Sequence, residues 1–176
     1  MANAYSVCFL ASLAPRLLGL WLTRNSRTNA TKTASLLSRA MVVVWVIASA
    51  RECTKRHTSP PPLFGLACAC VGNALLMGSH LSLANCWSVH NTIRTDHALV
   101  ESGLYRWIRH PMYLSFFCLW CAYVSLSRNP VIAVSFAVPL IECILRIPAE
   151  ERALMESIPQ YRDYIKRSRR LVPFVW

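Results

Sequence analysis

Apolar residues fall in long runs along the chain, separated by short polar and basic stretches. A bilayer core about 30 Å thick needs around 20 helical residues, and fewer where a helix ends in the headgroup layer or at a cavity. Five segments meet this requirement: residues 4–22, 34–50, 63–83, 112–126 and 130–147. The pattern therefore predicts an all-α fold, a polytopic membrane helical bundle of about five transmembrane helices.

The fourth and fifth segments are separated only by Ser127, Arg128 and Asn129. So short a connection forces two helices to run antiparallel as neighbours. We therefore expect a helical hairpin whose two open ends lie at the same membrane face.

Composition agrees with a membrane protein. Hydrophobic residues make up 55% of the 176 residues and charged residues 15%, with a net charge of +11. Soluble domains carry about 25% charged residues, and disordered or collagen-like chains are less apolar or richer in glycine. The basic residues alternate with apolar runs instead of forming one polar face, so we expect a bilayer rather than a nucleic acid as partner. Most of the eight cysteines lie inside apolar runs, and Cys118-x-x-Cys121 has no second ligand pair, so we expect no metal site.

Basic residues also predict the orientation. Five spans place the loop around residues 24–32, the segment 84–110 and the C-terminal tail on one side, which we take as cytosolic because it holds most of the Lys and Arg residues. The basic residues at positions 51–56 fall on the other side and contradict this scheme.

Charged residues inside the apolar spans are informative because each costs on the order of 3 kcal/mol at the bilayer centre. Arg16 and Arg39 fit snorkelling near helix ends. Glu142, Arg146 and Glu150 follow at four-residue intervals, which places them on nearly one helical face. Taken alone, this face is equally consistent with an ion-paired helix end and with a polar site.

Two polar clusters flank the predicted hairpin, at residues 97–113 and 146–151. Because the hairpin brings its ends together, both clusters should meet at one membrane face. Gly103 can supply a turn with positive φ, and Pro111 suits the first turn of a helix. Free N–H groups at that helix start would favour a carboxylate beside His110 and Tyr113.

The C-terminal tail has Tyr161, Tyr164 and Ile165 at helical spacing, followed by basic residues. This pattern is typical of a cytosolic helix lying against a headgroup layer. The two tyrosines fit packing or a cofactor lid equally well.

Three ordered motifs in residues 87–173 make the sequence resemble the isoprenylcysteine carboxyl methyltransferase family. They are His-x-Leu-Val-x-x-Gly-x-Tyr at 97–105, Arg-His-Pro-x-Tyr at 109–113 and Arg-x-x-x-Glu-Glu-x-x-Leu at 146–154, followed by Tyr161 and Tyr164. The resemblance implies a multi-pass enzyme of the endoplasmic reticulum membrane with its site facing the cytosol. Such an enzyme uses S-adenosyl-L-methionine to methylate the carboxylate of a prenylated C-terminal cysteine of proteins.

The resemblance also implies site residues. Residues 84–176 would form the methyltransferase region and residues 1–83 the N-terminal transmembrane helices. Arg146 would bind the substrate carboxylate and Glu150 the cofactor, and both are the expected catalytic residues. Cofactor contacts are further expected at His97, Ala98, Leu99, Val100, Tyr105, His110, Pro111, Met112 and Tyr113. His90 stands where the family usually has a cofactor-binding Gln, and Pro159 stands where the tail usually has Gly.

The chemistry agrees with these roles. A carboxylate is ionised near neutral pH, so methyl transfer to it needs alignment and exclusion of water but no general base. Glu151 lies about 100° around a helix from Glu150, so we expect it to serve another partner, such as Arg109 or the tail. Phospholipid (ethanolamine) N-methylation, the distantly similar sterol reductases and a non-catalytic membrane paralogue are the alternatives; Arg146 favours a carboxylate acceptor.

Overall fold

The computed structural model describes residue 6 and residues 36–55, 61–83 and 99–171. Within these ranges the chain is helical, and its one β feature is an isolated bridge between Ile108 and Arg169. This confirms the all-α prediction, whereas the predicted span 4–22 lies almost wholly outside the described residues. The helices are α1 (Leu36–Thr54), α2 (Leu63–Leu83), α3 (Pro111–Ser127), α4 (Pro130–Ser157) and α5 (Tyr161–Arg167), with a 3₁₀ turn at Gly103–Arg106.

The predicted hairpin of α3 and α4 is present, and its turn is made by local chemistry. Arg128 adopts the left-handed conformation with φ 51° and ends α3, its N–H donating to the Val124 carbonyl. The Asn129 side chain then caps α4 by accepting from the Val131 N–H at 3.0 Å. Because Pro130 occupies the first turn, where no helical N–H partner is needed, α4 begins immediately after the turn.

Close helix packing forms the core of the described bundle. A Cβ on Gly72 would stand 2.8 Å from Leu119 Cγ, so only glycine allows α2 to approach α3 this closely. On the other side, α1 packs on α4, and the Trp45 ring lies 5.5 Å from the rings of both Tyr123 and Phe136. The core therefore runs through the hairpin, with α2 on one flank and α1 on the other.

Helix α4 is longer than its predicted apolar span, which ended at Ile147. It continues through Pro148 to Ser157, although Pro148 has no N–H to donate to the preceding turn. The residues after Pro148 are held by side-chain contacts across the bundle, from Tyr113 to Glu150 and from Arg109 to Glu151. At 28 residues α4 is about 42 Å long, which is about 12 Å more than the thickness of a bilayer core.

Two of the described helices are long and apolar enough to cross a bilayer, within Leu63–Ser82 and Pro130–Ser157. Pro111–Ser127 is a shorter apolar helix. Large apolar side chains cover the outer surfaces of these helices, including Leu63, Phe64, Val134 and Leu145. Helix α1, predicted over 34–50, extends one turn further and includes Arg51 and the buried Glu52.

Candidate active site

Gly103 shapes the segment that leads into the hairpin. Its φ is 59°, the left-handed region that favours glycine, and a Cβ there would stand 2.4 Å from Ser82 Oγ at the end of α2. The predicted positive-φ turn is thus confirmed. Glycine is favoured at this position both by the backbone conformation and by the close contact with Ser82. The 3₁₀ turn that begins at Gly103 lies against α2, where Leu104 fills the space beside Gly78.

A short stretch of parallel pairing joins this segment to the C-terminal tail. The Arg169 N–H donates to the Trp107 carbonyl at 2.9 Å, the Arg109 N–H to the Arg169 carbonyl at 2.7 Å, and the His110 N–H to the Arg170 carbonyl at 3.0 Å. We call residues 168–170 the tail strand. The pairing fixes the backbone immediately before α3 begins at Pro111.

Tyr113, in the first turn of α3, binds Glu150 near the end of α4. The Tyr113 hydroxyl lies 2.8 Å from Glu150 Oε1 and 3.0 Å from Oε2, so it donates to the carboxylate between the two oxygens. The Tyr113 ring is parallel to the His110 ring, with centroids 5.4 Å apart. The Glu150 side chain remains 38% exposed, which leaves lone pairs of its carboxylate accessible for a ligand.

Glu151 faces a different set of partners, as its rotation around the helix predicts. Its Oε1 accepts from Arg109 Nε at 2.7 Å and its Oε2 from Arg170 Nε at 2.9 Å. The His110 Nε2 atom lies 3.5 Å from the same Oε1. The Glu151 and Arg109 side chains are 4% and 6% exposed, so one buried carboxylate joins α4, the segment before α3 and the tail strand.

Arg146 lies one turn before Glu150 on the same face of α4. Its side chain is 37% exposed, and its one ion pair among the described residues is with Glu142, at 3.9 Å between Nη2 and Oε2. That distance is too long for a hydrogen bond. The guanidinium therefore keeps donors available for an anion such as a carboxylate.

Burial and charge set the ionisation of the groups around the tail strand. Burial lowers the pKa of His110 below its ordinary value, with Arg109 and Arg170 acting in the same direction and Glu151 opposing them. Burial alone would raise the pKa of Glu151, but hydrogen bonds and positive charge from Arg109 and Arg170 hold it below the usual range. At neutral pH, His110 is thus an uncharged imidazole and Glu151 is an anion.

The tail tyrosines face inward. Tyr161 and Tyr164 are both buried, with ring centroids 5.5 Å apart, and the Tyr164 hydroxyl donates to the Tyr105 carbonyl. Of the two roles left open by the sequence, packing is the one seen here. The apolar face of α5 that was expected to lie on headgroups is turned into the protein, and charged residues occupy its outer face.

The structure brings His110, Tyr113, Arg146 and Glu150 to one end of the hairpin. Pro111 is buried at the start of α3 with Met112 beside it, while Leu99, Val100 and Tyr105 lie on the preceding segment. No hydrogen bond within the described ranges joins those last three side chains to Glu150. His90, His97 and Ala98 lie outside the described residues.

The sequence pointed to the C-terminal tail, as well as Arg109, as a partner of Glu151, but it did not single out Arg170 within that tail. The signal was weak because four of the five residues from Lys166 to Arg170 are basic, and nothing local distinguishes one from another. Arg109, which was considered as a partner of Glu151, is confirmed in that role.

The sequence profile of the isoprenylcysteine carboxyl methyltransferase (ICMT) family matches residues 65–156, just over half of the chain. The chain belongs to the ICMT family. The ICMT match includes Gly103, Tyr113, Arg146, Glu150 and Glu151, and it ends before the tail strand.

Similarity to individual ICMT proteins is moderate. A protein-S-isoprenylcysteine O-methyltransferase of Saccharomyces cerevisiae is 36% identical over 83 residues, covering 46% of this chain and 35% of the yeast protein. Protein-S-isoprenylcysteine O-methyltransferase B of Arabidopsis thaliana is 33% identical over 117 residues, covering 64% of this chain and 59% of that protein. The human protein-S-isoprenylcysteine O-methyltransferase is 33% identical over 89 residues, which are 49% of this chain and 31% of its own length. The chain thus spans between about a third and three fifths of the length of these curated relatives.

Proposed function

We propose that the chain is a protein-S-isoprenylcysteine O-methyltransferase, which transfers a methyl group from S-adenosyl-L-methionine to the C-terminal carboxylate of a prenylated cysteine. The observation that carries the proposal is the placement of an available guanidinium, Arg146, one helical turn from the Tyr113-bound carboxylate of Glu150. The Arg146 guanidinium suits an anionic methyl acceptor, and the Glu150 carboxylate suits a cationic methyl donor. Membership of the ICMT family supports the same reaction.

Glu150 fits the methyl donor because S-adenosyl-L-methionine carries positive charge on its sulfonium and amino groups. The Tyr113 hydroxyl donates a hydrogen bond to the Glu150 carboxylate at 2.8 Å, and the exposed part of the Glu150 side chain can accept further hydrogen bonds. The neutral His110 ring, parallel to Tyr113, adds no opposing charge. We assign donor binding to the residues that the family motifs indicate: His90, His97, Ala98, Leu99, Val100, Tyr105, His110, Pro111, Met112, Tyr113 and Glu150.

Arg146 fits the acceptor. A guanidinium can hold one carboxylate oxygen and leave the second oxygen as the nucleophile. Its 3.9 Å separation from Glu142 means that binding an acceptor breaks no hydrogen bond within the described structure. We therefore assign Arg146 as the substrate-binding residue.

The proposed reaction asks little acid–base chemistry of the protein. When bound, S-adenosyl-L-methionine supplies an electrophilic methyl group. Arg146 and Glu150 would hold the two charged reactants at neighbouring positions at the open end of the hairpin, where alignment and the exclusion of water by the bound reactants drive the transfer. A phospholipid amine would first have to lose a proton, and Arg146 would repel its ammonium form.

We propose that the enzyme is a multi-pass protein of the endoplasmic reticulum membrane with about five transmembrane helices and a cytosol-facing site. Residues 1–83 would supply N-terminal membrane helices and residues 84–176 the methyltransferase region. The two membrane-length apolar helices and the outward apolar side chains support placement in a bilayer. The prenyl chain would then enter from the bilayer between helices and the donor from water.

The proposal is tested by a methyl-transfer assay on membranes that contain the full chain, with labelled S-adenosyl-L-methionine. A farnesylcysteine analogue and phosphatidylethanolamine are offered separately. We expect base-labile methyl ester on the farnesylcysteine carboxyl and no label on the lipid. Label on the lipid amine alone would establish the N-methyltransferase alternative, and no transfer to either, with intact donor binding, would point to another acceptor or a non-catalytic paralogue.

A further inference from the structure

We propose that Arg170 is a positioning residue for the methyl-donor site. By binding Glu151 it holds the tail strand against the segment that carries His110 and Tyr113. This inference rests on the proposed function and extends it to a residue beyond the ICMT family match, which ends at residue 156.

The strand pairing explains why Arg170 reaches Glu151. Ile108 is paired with Arg169, so the residues that follow each of them, Arg109 and Arg170, project to the same side of the pairing. Both guanidiniums meet Glu151 there, at 2.7 and 2.9 Å. Arg169 projects to the opposite side and makes no side-chain hydrogen bond or ion pair with a described residue.

The two arginines that bind Glu151 differ in their other contacts. Arg109 Nη1 also donates to the Ser168 carbonyl and, at 3.3 Å, to the Ile165 carbonyl, so it is tied to the tail backbone independently of Arg170. The Arg170 side chain is 33% exposed, whereas Glu151 is 4% exposed. Loss of the Arg170 side chain therefore weakens the contact of the tail strand with Glu151, but Glu151 keeps Arg109 as a partner in the interior.

The ion pairs of Glu151 with Arg109 and Arg170 are connected to the site because two of their members are next to site residues in the chain. Glu151 follows Glu150, and Arg109 precedes His110, whose N–H donates to the Arg170 carbonyl at 3.0 Å. His110 Nε2 also lies 3.5 Å from Glu151 Oε1. A displaced tail strand would thus release the His110 ring and, through it, the parallel Tyr113 ring that orients Glu150.

The test compares Arg170→Gln, Arg170→Lys and the matched control Arg169→Gln in the full chain reconstituted in lipid nanodiscs. The two Gln variants each remove one positive charge from neighbouring tail positions. We measure kcat, the KM for S-adenosyl-L-methionine and its equilibrium Kd, together with hydrogen exchange of peptides that cover residues 105–114 and 165–171. The exchange measurement needs no activity.

Arg170→Gln is expected to raise the donor KM and Kd about three- to tenfold, because it removes a partly buried charged hydrogen bond, and to change kcat less than about twofold. Exchange should rise in both peptides. Arg170→Lys should recover most of the donor affinity, and Arg169→Gln should behave like the wild type.

Unchanged donor affinity in Arg170→Gln would overturn the positioning role, whether or not exchange rises. An equal effect in Arg169→Gln would overturn it as well, because a general effect of tail charge would then suffice. A wild-type chain that binds no S-adenosyl-L-methionine would refute the proposed function and, with it, the donor role of Arg170. Unchanged hydrogen exchange in Arg170→Gln would separately refute the claim that Arg170 holds the tail strand in place.

Discussion

Replacing Glu150 by Gln is the sharpest test of the donor site. The amide has nearly the same shape and can still accept from the Tyr113 hydroxyl, now at 2.8 Å from Oε1, but it carries no charge. A hydrogen bond to a charged group contributes about 1.5–3 kcal/mol net, and exposure of 38% of the Glu150 side chain reduces that range to about 1–2 kcal/mol. The Kd for S-adenosyl-L-methionine should therefore rise about 5- to 30-fold.

The assay is equilibrium binding of labelled S-adenosyl-L-methionine to the full chain in nanodiscs. Glu156→Gln is the matched control, because Glu156 lies on the same helix, is exposed, and forms no ion pair or side-chain hydrogen bond with a described residue. An unchanged Kd in Glu150→Gln, or equal weakening in both variants, would refute the assignment of Glu150 to the donor.

Three further substitutions test separate parts of the structure. Arg146→Ala should raise the KM for a farnesylcysteine acceptor about tenfold, with the donor Kd unchanged, as measured by initial rates and equilibrium binding. Gly103→Ala should lower the free energy of unfolding by about 1–3 kcal/mol, because its Cβ would stand 2.4 Å from Ser82 Oγ at a φ of 59°, and thermal unfolding would detect the loss. Asn129→Ala should cost about 1–2 kcal/mol in the same measurement, because it removes the α4 cap and the donor that lies 3.2 Å from Glu52 Oε2.

Control variants separate these effects from general damage. Arg162→Ala removes an exposed guanidinium outside the site and should leave the acceptor KM unchanged. The Ser102 side chain, next to Gly103, makes no cap hydrogen bond, so Ser102→Ala should leave the unfolding temperature nearly unchanged. Asn129→Ser can retain the cap while losing the longer reach to Glu52, so stability equal to Asn129→Ala would contradict the capping argument.

The features that the sequence predicted correctly are those that depend on neighbouring residues. The hairpin followed from a three-residue link, and the positive φ of Gly103 followed from glycine in a polar turn. The common face of Glu142, Arg146 and Glu150 followed from helical spacing, and the continuous helix α4 confirms it. In each case a local rule of geometry is sufficient.

The features that the sequence did not predict depend on contacts between distant segments. Pairing of Ile108 with Arg169 joins parts of the chain that share no pattern, and one short bridge produces no alternating run of residues. The course of α4 past Pro148 likewise depends on contacts made by residues further along the helix. The inward turn of Tyr164 depends on a backbone acceptor, the Tyr105 carbonyl, which sequence spacing cannot identify.

The adjacent residues Glu150 and Glu151 show how one helix can serve two tasks at once. Consecutive helical residues point about 100° apart, so the two carboxylates cannot share all their partners. Glu151 is buried between two guanidiniums, which use both of its oxygens, whereas Glu150 is bound by one hydroxyl and remains partly exposed. Only Glu150 therefore retains the capacity to bind a ligand, and the ion pairs of Glu151 keep that neighbour in place. Exchange of the two roles would require a helix rotated by 100°, which the Arg109 and Tyr113 contacts prevent.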